Sequence, residues 1–449
     1  MPQNGEGIYV GEGPDAPDAP EPKTPQSNEP TRVKVRVSLF FDGTGNNRVN
    51  TRERLANSEI YKKYGEDDNS YSNDESNVSR LQDCVTEGSS GYDHHVVLYV
   101  EGIGTRDQDS DVFWAKVLGK SGGAGVKDKV DKGVRMAIAG VMKVLPQDAD
   151  VHVDLLTLDT FGFSRGAAAA RYCVHRASND EDGGWFGSDW HGLPSALERR
   201  GIPVAKFDVH AVGLFDTVSS YGRDHTDDVP ELKLDAISVA KAVLQLAAAN
   251  EYRTNFALTD IASAGGKGQE VFLPGAHSDI GGGYVDNDRE SKDLKEGEAT
   301  PDIANFLVHG GWFTAREANY MAYGRVEIEG RTRKVGRRVW LQRSGISNRY
   351  TYIPLHLMAD FASKQGLNVA LKKEFKPPPD LTALHRELQA SVDSGAASHI
   401  GDWATHDDAA RVLRRRYLHI SFSGEIGMGV RVIPNRGGRF VPEREIFHG

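Results

Sequence analysis

Gly162-Phe163-Ser164-Arg165-Gly166 has the G-x-S-x-G spacing in which a serine hydroxyl can serve as a nucleophile. Such a serine needs a strand before it and a helix directly after it, so that the turn pushes the hydroxyl out at the sheet edge. Residues 151–158 read as a strand, and Ala167 to Ala170 followed by Arg171 open a small-residue helix. A second match, Gly119-Lys120-Ser121-Gly122-Gly123, lies among four glycines in seven residues. Helix formation there costs about 1 kcal/mol per Gly relative to Ala, so Ser121 is assigned to a loop. The competing role for Ser164 is that of a plain helix N-cap. The flanking glycines let strand and helix approach closely, and the helix N-terminus directs positive potential to where an oxyanion would form. The Arg165 backbone N–H is the first expected oxyanion donor.

A serine hydroxyl needs a base, normally His, oriented by a carboxylate. In a strand–elbow–helix architecture the chain order is Ser, then Asp or Glu, then His. Asp216 follows Val212-Gly213-Leu214-Phe215 and so stands at a strand end on the same sheet edge as Ser164. A turn or cap role is its alternative. Asp208 begins that strand and faces the wrong edge, and Asp159 is too close to Ser164 along the chain. Fifteen histidines compete for the base. Position favours His277, which follows a short strand in a Gly-rich loop. His356, on a helix face, and His225, in a charged loop, stay open. A second oxyanion donor is expected from the turn after the first strand, Asp42-Gly43-Thr44-Gly45-Asn46, through the N–H of Gly43 or Thr44. An ordinary Asp-Gly turn is the other reading. Asp42, Asp216, His277 and Asp279 could instead form a metal cluster, and Asp286-Asn287-Asp288 faintly resembles a calcium loop but lacks the EF-hand glycine and terminal Glu. Both metal readings are the weaker ones, and no cofactor is expected.

The elements that must position these groups follow from hydrophobic periodicity. Val33, Val35, Val37 and Leu39 alternate with polar residues and predict a strand running into Phe40-Phe41. Residues 48–92 read as a loop-rich insertion with a short helix over 77–84. Further strands are expected over 96–100, 151–158, 207–215 and 270–273. Helices are expected over 127–145, after Ser164, and around 236–249. Strands alternating with helices imply an α/β unit with a parallel sheet.

The chain has 449 residues, and hydrophobic residues make up 39% of it, so it can bury a full core without disulfides. Basic residues number 54 against 64 acidic ones, a net charge of −10, which argues against a nucleic-acid partner. Cys84 and Cys173 have no metal-ligand spacing and are expected to be buried thiols. No run of 18 or more apolar residues occurs, and no basic-then-apolar leader opens the chain. Residues 1–31 hold seven of the nineteen prolines and read as a disordered tail. Residues 32–300 are expected to form the catalytic α/β domain. Residues 301–449 are expected to be an extension that acts as a lid, contacts membrane or completes that domain. Within it, the basic and aromatic stretch from Tyr323 to Tyr352 suits either an anionic bilayer or a solvated hairpin face.

Four motifs taken together extend this reading. Phe40-Phe41-Asp42-Gly43-Thr44-Gly45-Asn46-Asn47, Gly162-Phe163-Ser164-Arg165-Gly166-Ala167, Leu214-Phe215-Asp216-Thr217-Val218 and His277-Ser278-Asp279-Ile280-Gly281-Gly282-Gly283-Tyr284 stand in this order. The chain thereby resembles, over about residues 33 to 285, an α/β-hydrolase family that includes the family-one lipase effectors of bacterial type VI secretion. The resemblance implies an antibacterial phospholipase of A1 or A2 type acting on glycerophospholipid acyl esters, with Ser164, Asp216 and His277 as its triad. It also implies delivery from the producer's cytoplasm into the periplasm of a target cell, a spike protein or adaptor chaperone as carrier, and a periplasmic immunity protein. An esterase acting on soluble acyl esters and a non-catalytic secretion cargo are the alternatives.

Overall fold

In the computed structural model the chain is described over residues 29–65, 70–112, 123–147, 149–181, 190–219, 229–294, 299–322, 326–328, 331–333, 337–395, 399, 407–423, 428–435 and 437–449. The expected tail (apart from its last three residues), Ser121 and His225 lie outside them. Six strands form a wholly parallel sheet: β1 (Thr31–Phe41), β2 (His94–Val100), β3 (Val151–Phe163), β4 (Phe207–Phe215), β5 (Ala242–Ala248) and β6 (Gly268–Leu273). Their spatial order is β2-β1-β3-β4-β5-β6. The α/β class expected from the strand and helix alternation is the fold observed.

Strand alternation divides the apolar residues between two cores. Val33, Val35, Val37, Leu39 and Phe41 of β1 face helices α2 (Val126–Val144) and α3 (Arg165–Ser178). Phe40 and, from β3, Phe161 and Phe163 face the other side, against α1 (Asn77–Cys84), α5 (Tyr352–Lys364) and residues 418–422. Phe40 and Phe161 are register partners with stacked rings 4.8 Å apart. Beside them Arg36 and Asp159 form a buried bidentate pair, with Nε and Nη2 donating at 2.6 and 2.9 Å. This pairing satisfies Asp159 and keeps it away from the nucleophile's turn. Cys84 and Cys173 are both buried and unpaired.

The predicted helix around 236–249 is not present. A short 3₁₀ turn, Leu234–Val239, precedes β5 instead. Residues 243–250 are all buried, and a strand covered on both faces loses the polar alternation that would mark it as a strand. The expected fifth strand is therefore the sixth.

The region after β6 packs into the second core. Asp288–Leu294, Arg337–Ile346 and Ala318–Ala322 form an antiparallel sheet, from which Leu294, Val339 and Leu341 are buried. Tyr350 is also buried, and Arg343 donates to Glu290 inside the protein. These side chains of the basic–aromatic stretch are core, not a lipid-facing surface. Tyr323 lies outside the described residues. Among the described residues no helix is long and apolar enough to cross a membrane.

Leu246, fully buried in β5, and Val239, 59% exposed just before it, separate strand from turn energetically. Leu246→Ala should cost about 2–5 kcal/mol in denaturant unfolding, and Val239→Ala about 0.5 kcal/mol or less. Equal effects at the two positions would contradict the strand.

Candidate active site

β3 ends at Phe163 and α3 begins at Arg165, so Ser164 alone makes the turn. Its backbone has φ 60° and ψ −130°, a conformation that costs a non-glycine residue about 1–3 kcal/mol. The flanking glycines are required by contact. A Cβ on Gly162 would lie 2.2 Å from the Gly166 carbonyl oxygen, and one on Gly166 would lie 2.2 Å from that of Asp42. The elbow is thus wedged against the turn that follows β1.

Sheet register brings the second group alongside. Phe163 pairs with Phe215, and the Ser164 N–H donates to the Phe215 carbonyl at 3.0 Å. Ser164 and Asp216 are therefore the first residues beyond two neighbouring strand ends. The third group arrives after β6 on a one-turn helix, α4 (His277–Gly281), where the sequence had suggested a loop. His277 Nδ1–H donates to Asp216 Oδ2 at 2.5 Å, which leaves Nε2 as the acceptor. The imidazole lies 4.6 Å from the Phe163 ring and edge-on to Phe256 at 5.1 Å. Ser164 and His277 are not hydrogen-bonded to each other, a contact that often tightens only with substrate bound.

All three side chains are buried, with Asp216 fully so. Burial pushes the His277 pKa below its ordinary 6.5, against the opposing pull of Asp216, so the imidazole is neutral at pH 7. Burial also works to raise Asp216, but the Arg444 charge and the His277 hydrogen bond outweigh it and hold the carboxyl below 3.8.

Gly43 and Thr44 stand where the sequence places them, beside the elbow. The Gly43 N–H is already occupied, donating to Asp42 Oδ1 at 2.7 Å. The Thr44 hydroxyl accepts from Arg165 Nε at 2.8 Å, which ties the turn to the start of α3. Burial raises Asp42 to about 6, against hydrogen bonds from Ser76, Tyr99 and Gly43. His356 is elsewhere, on α5, with Nε2 against the Phe375 carbonyl at 2.9 Å. Asp208 pairs with Lys241 at the far end of β4. Among the described residues no group of three or more His, Cys, Asp or Glu could hold a metal. The Asp286 carboxylate accepts from the Ser347 hydroxyl at 2.8 Å and from the Asn348 N–H at 3.2 Å, as a turn would.

Several groups that hold the site carried no sequence signal. Arg444 forks onto Asp216. Glu251 accepts the His277 backbone N–H at 3.3 Å and both Nε and Nη2 of Arg253 at 2.9 Å. Burial would raise Glu251, but Arg253 drives it well below 4.5. Asp279 accepts the Ala276 N–H, the His419 N–H and His419 Nδ1–H at 2.7–2.9 Å. It thereby pins α4 to the buried segment that holds Leu418, His419 and Ile420. In sequence Glu251, Arg253, His419 and Arg444 were undistinguished polar residues, whereas Asp279 stood out only as a member of the His277–Tyr284 motif and of the weaker metal reading.

A family model described as "T6SS, Phospholipase effector Tle1-like, catalytic domain" matches residues 36–178 and 192–304, more than half of the chain. The chain belongs to this family. It is thus a Tle1-like phospholipase effector of type VI secretion. Ser164, Asp216 and His277 all fall within the matched segments. Among solved structures, a Tle1 effector bound to the VgrG spike of the type 6 secretion system has the same fold. It is 22% identical, with a TM-score of 0.61 over 94% of this chain and 95% of that one. An uncharacterized protein from Pseudomonas aeruginosa is 16% identical, with a TM-score of 0.38 over 82% of this chain and 52% of that one. No curated protein matches.

The depressed Glu251 carboxyl sets a pH-dependent stability. Because its folded pKa lies below its unfolded one, its stabilisation is complete above about pH 4.5 and declines as pH falls below that value. Glu251→Gln strands Arg253 and should cost about 3–5 kcal/mol at pH 7. In urea unfolding the gap between variant and wild type should narrow below pH 4.5, and a pH-independent gap would refute this account.

Proposed function

We propose that this effector is a phospholipase A that cleaves acyl ester bonds of glycerophospholipids with Ser164 as nucleophile, His277 as base and Asp216 as its orienting carboxylate. The observation that carries the reading is the buried Asp216–His277 hydrogen bond at 2.5 Å beside a serine held at φ 60° on the adjoining strand end. His277 Nε2 takes the Ser164 proton as Oγ attacks the ester carbonyl. The N–H groups of Arg165 and Thr44 are the proposed oxyanion donors, since the Gly43 N–H is held by Asp42. Collapse of the tetrahedral intermediate transfers the acyl group to Ser164. The imidazolium protonates the departing lysophospholipid oxygen. Water, deprotonated by His277, then releases the fatty acid and restores the serine.

The membrane surface is the proposed substrate, and the periplasm of a competing bacterium the proposed place of action. A spike protein is the proposed carrier, supported by the fold shared with an effector solved on its spike. An adaptor chaperone and a periplasmic immunity protein complete the proposed partners.

Ser164→Ala should lower fatty-acid release from phospholipid vesicles by about a thousandfold or more, read by mass spectrometry, with unfolding nearly unchanged. Release at the wild-type rate would remove Ser164 as nucleophile. Cleavage of short soluble esters without vesicle lipids would instead support a soluble esterase.

A further inference from the structure

The family match ends at residue 304, yet the Asp216–His277 pair is closed from the far end of the chain. Residues Ile446–Phe447 add a short parallel strand to Leu258–Thr259, and this places the preceding Arg444 behind Asp216. Arg444 is 5% exposed. Its Nη1 donates to Asp216 Oδ1 at 2.6 Å and its Nη2 to Oδ2 at 2.9 Å. The remaining donors reach the Ala248 carbonyl at 2.9 Å and the Phe256 carbonyl at 3.1 and 3.2 Å. The Ala248 N–H donates to Asp216 Oδ1 at 2.7 Å. Both carboxylate oxygens are therefore fixed in a plane, with Oδ2 aimed at His277. In the same stretch of chain, the Ser421 hydroxyl donates at 2.8 Å to Glu251, which accepts the His277 N–H.

We propose that Arg444 is a positioning residue of the hydrolytic site: its guanidinium fork sets the rotamer of Asp216 and, through it, the orientation of the His277 imidazole. The proposal rests on the serine-hydrolase reading above. A planar fork fits a carboxylate bidentately, where an ammonium would meet it only as a point charge. The other charged groups facing the pair are Glu251 and its partner Arg253. Behind Arg444 stand Asp260, Glu270 and Arg171, and Glu270, which burial raises to about 7, also feels the Arg444 charge. Removing Arg444 takes one positive charge from the neighbourhood of Asp216 and His277. A proton then binds the pair more readily, wherever it resides, and the acid limb of activity moves to higher pH.

The test measures the rate at which a fluorophosphonate labels Ser164 in the full chain, from pH 5 to 9, alongside circular dichroism and denaturant unfolding. Arg444→Met should label about tenfold or more slowly at pH 7, with the acid limb shifted up by about one unit. Arg444→Lys keeps the charge but loses the fork, so it should label slowly with the limb near its wild-type position. Arg439→Met, an exposed site in the same segment, should match wild type in both. A folded Arg444→Met with wild-type rate and limb overturns the proposal. If Arg444→Met does not fold, Arg444→Lys decides, and labelling at the wild-type rate overturns it. A wild-type chain that labels nowhere in the range removes the serine-hydrolase reading, and this one with it.

Discussion

A carboxylate with no solvent exposure at all is costly to keep ionised, and Asp216 is such a group. It survives because donors converge on it from His277, Arg444 and the Ala248 N–H, drawn from four separate parts of the chain if Asp216 itself is counted. The same solution recurs around it. Glu251 is sheathed by Arg253, Ser421 and the His277 N–H, and Asp279 by His419 and the Ala276 N–H. Each buried anion demands partners, and meeting that demand fixes where the segments after β6 must run. Precision at the site and closure of the fold are one problem with one solution.

The parallel sheet supplies the rest of the geometry. All six strands point the same way, so their C-terminal ends and the turns beyond them share one edge. Ser164 and Asp216 need no long-range search to meet, because Phe163 and Phe215 are already register partners. The strain at Ser164 is held by packing on both sides, with Gly162 against Gly166, Gly166 against the Asp42 turn and the Phe163 ring against the imidazole. Phe163 thus links the nucleophile's strand to the proposed base without sharing a proton with either.

Much of this architecture could be read from residue order alone. β1 declared itself through Val33, Val35, Val37 and Leu39, whose alternation survives because Lys34, Arg36 and Ser38 are polar. Arg36 and Ser38 are nonetheless buried, carried by their bonds to Asp159, which sequence could not show. The segment around 236–249 misled for a definite reason. Val243, Leu244, Leu246, Ala247 and Ala248 are buried from both faces, and a run of that length without alternation has the same composition as a buried helix. In the basic–aromatic stretch from Tyr323 to Tyr352 the antiparallel pairing of Val326–Ile328 with Arg331–Arg333 matches the hairpin alternative, but Tyr350 and Arg343 are interior groups that their polarity did not announce.

What the sequence determined by itself was local chemistry and its order: a serine between glycines after a strand, an aspartate at a strand end, a histidine before a glycine run. These are legible because steric demands at a turn act on adjacent residues. What only the tertiary structure decided was which distant charges answer which buried ones. Nothing near Arg444 or His419 in the chain marks either residue, for a guanidinium or an imidazole is selected there by an anion more than a hundred residues away. Complementarity of that kind exists only once the strands are in register and water has been expelled.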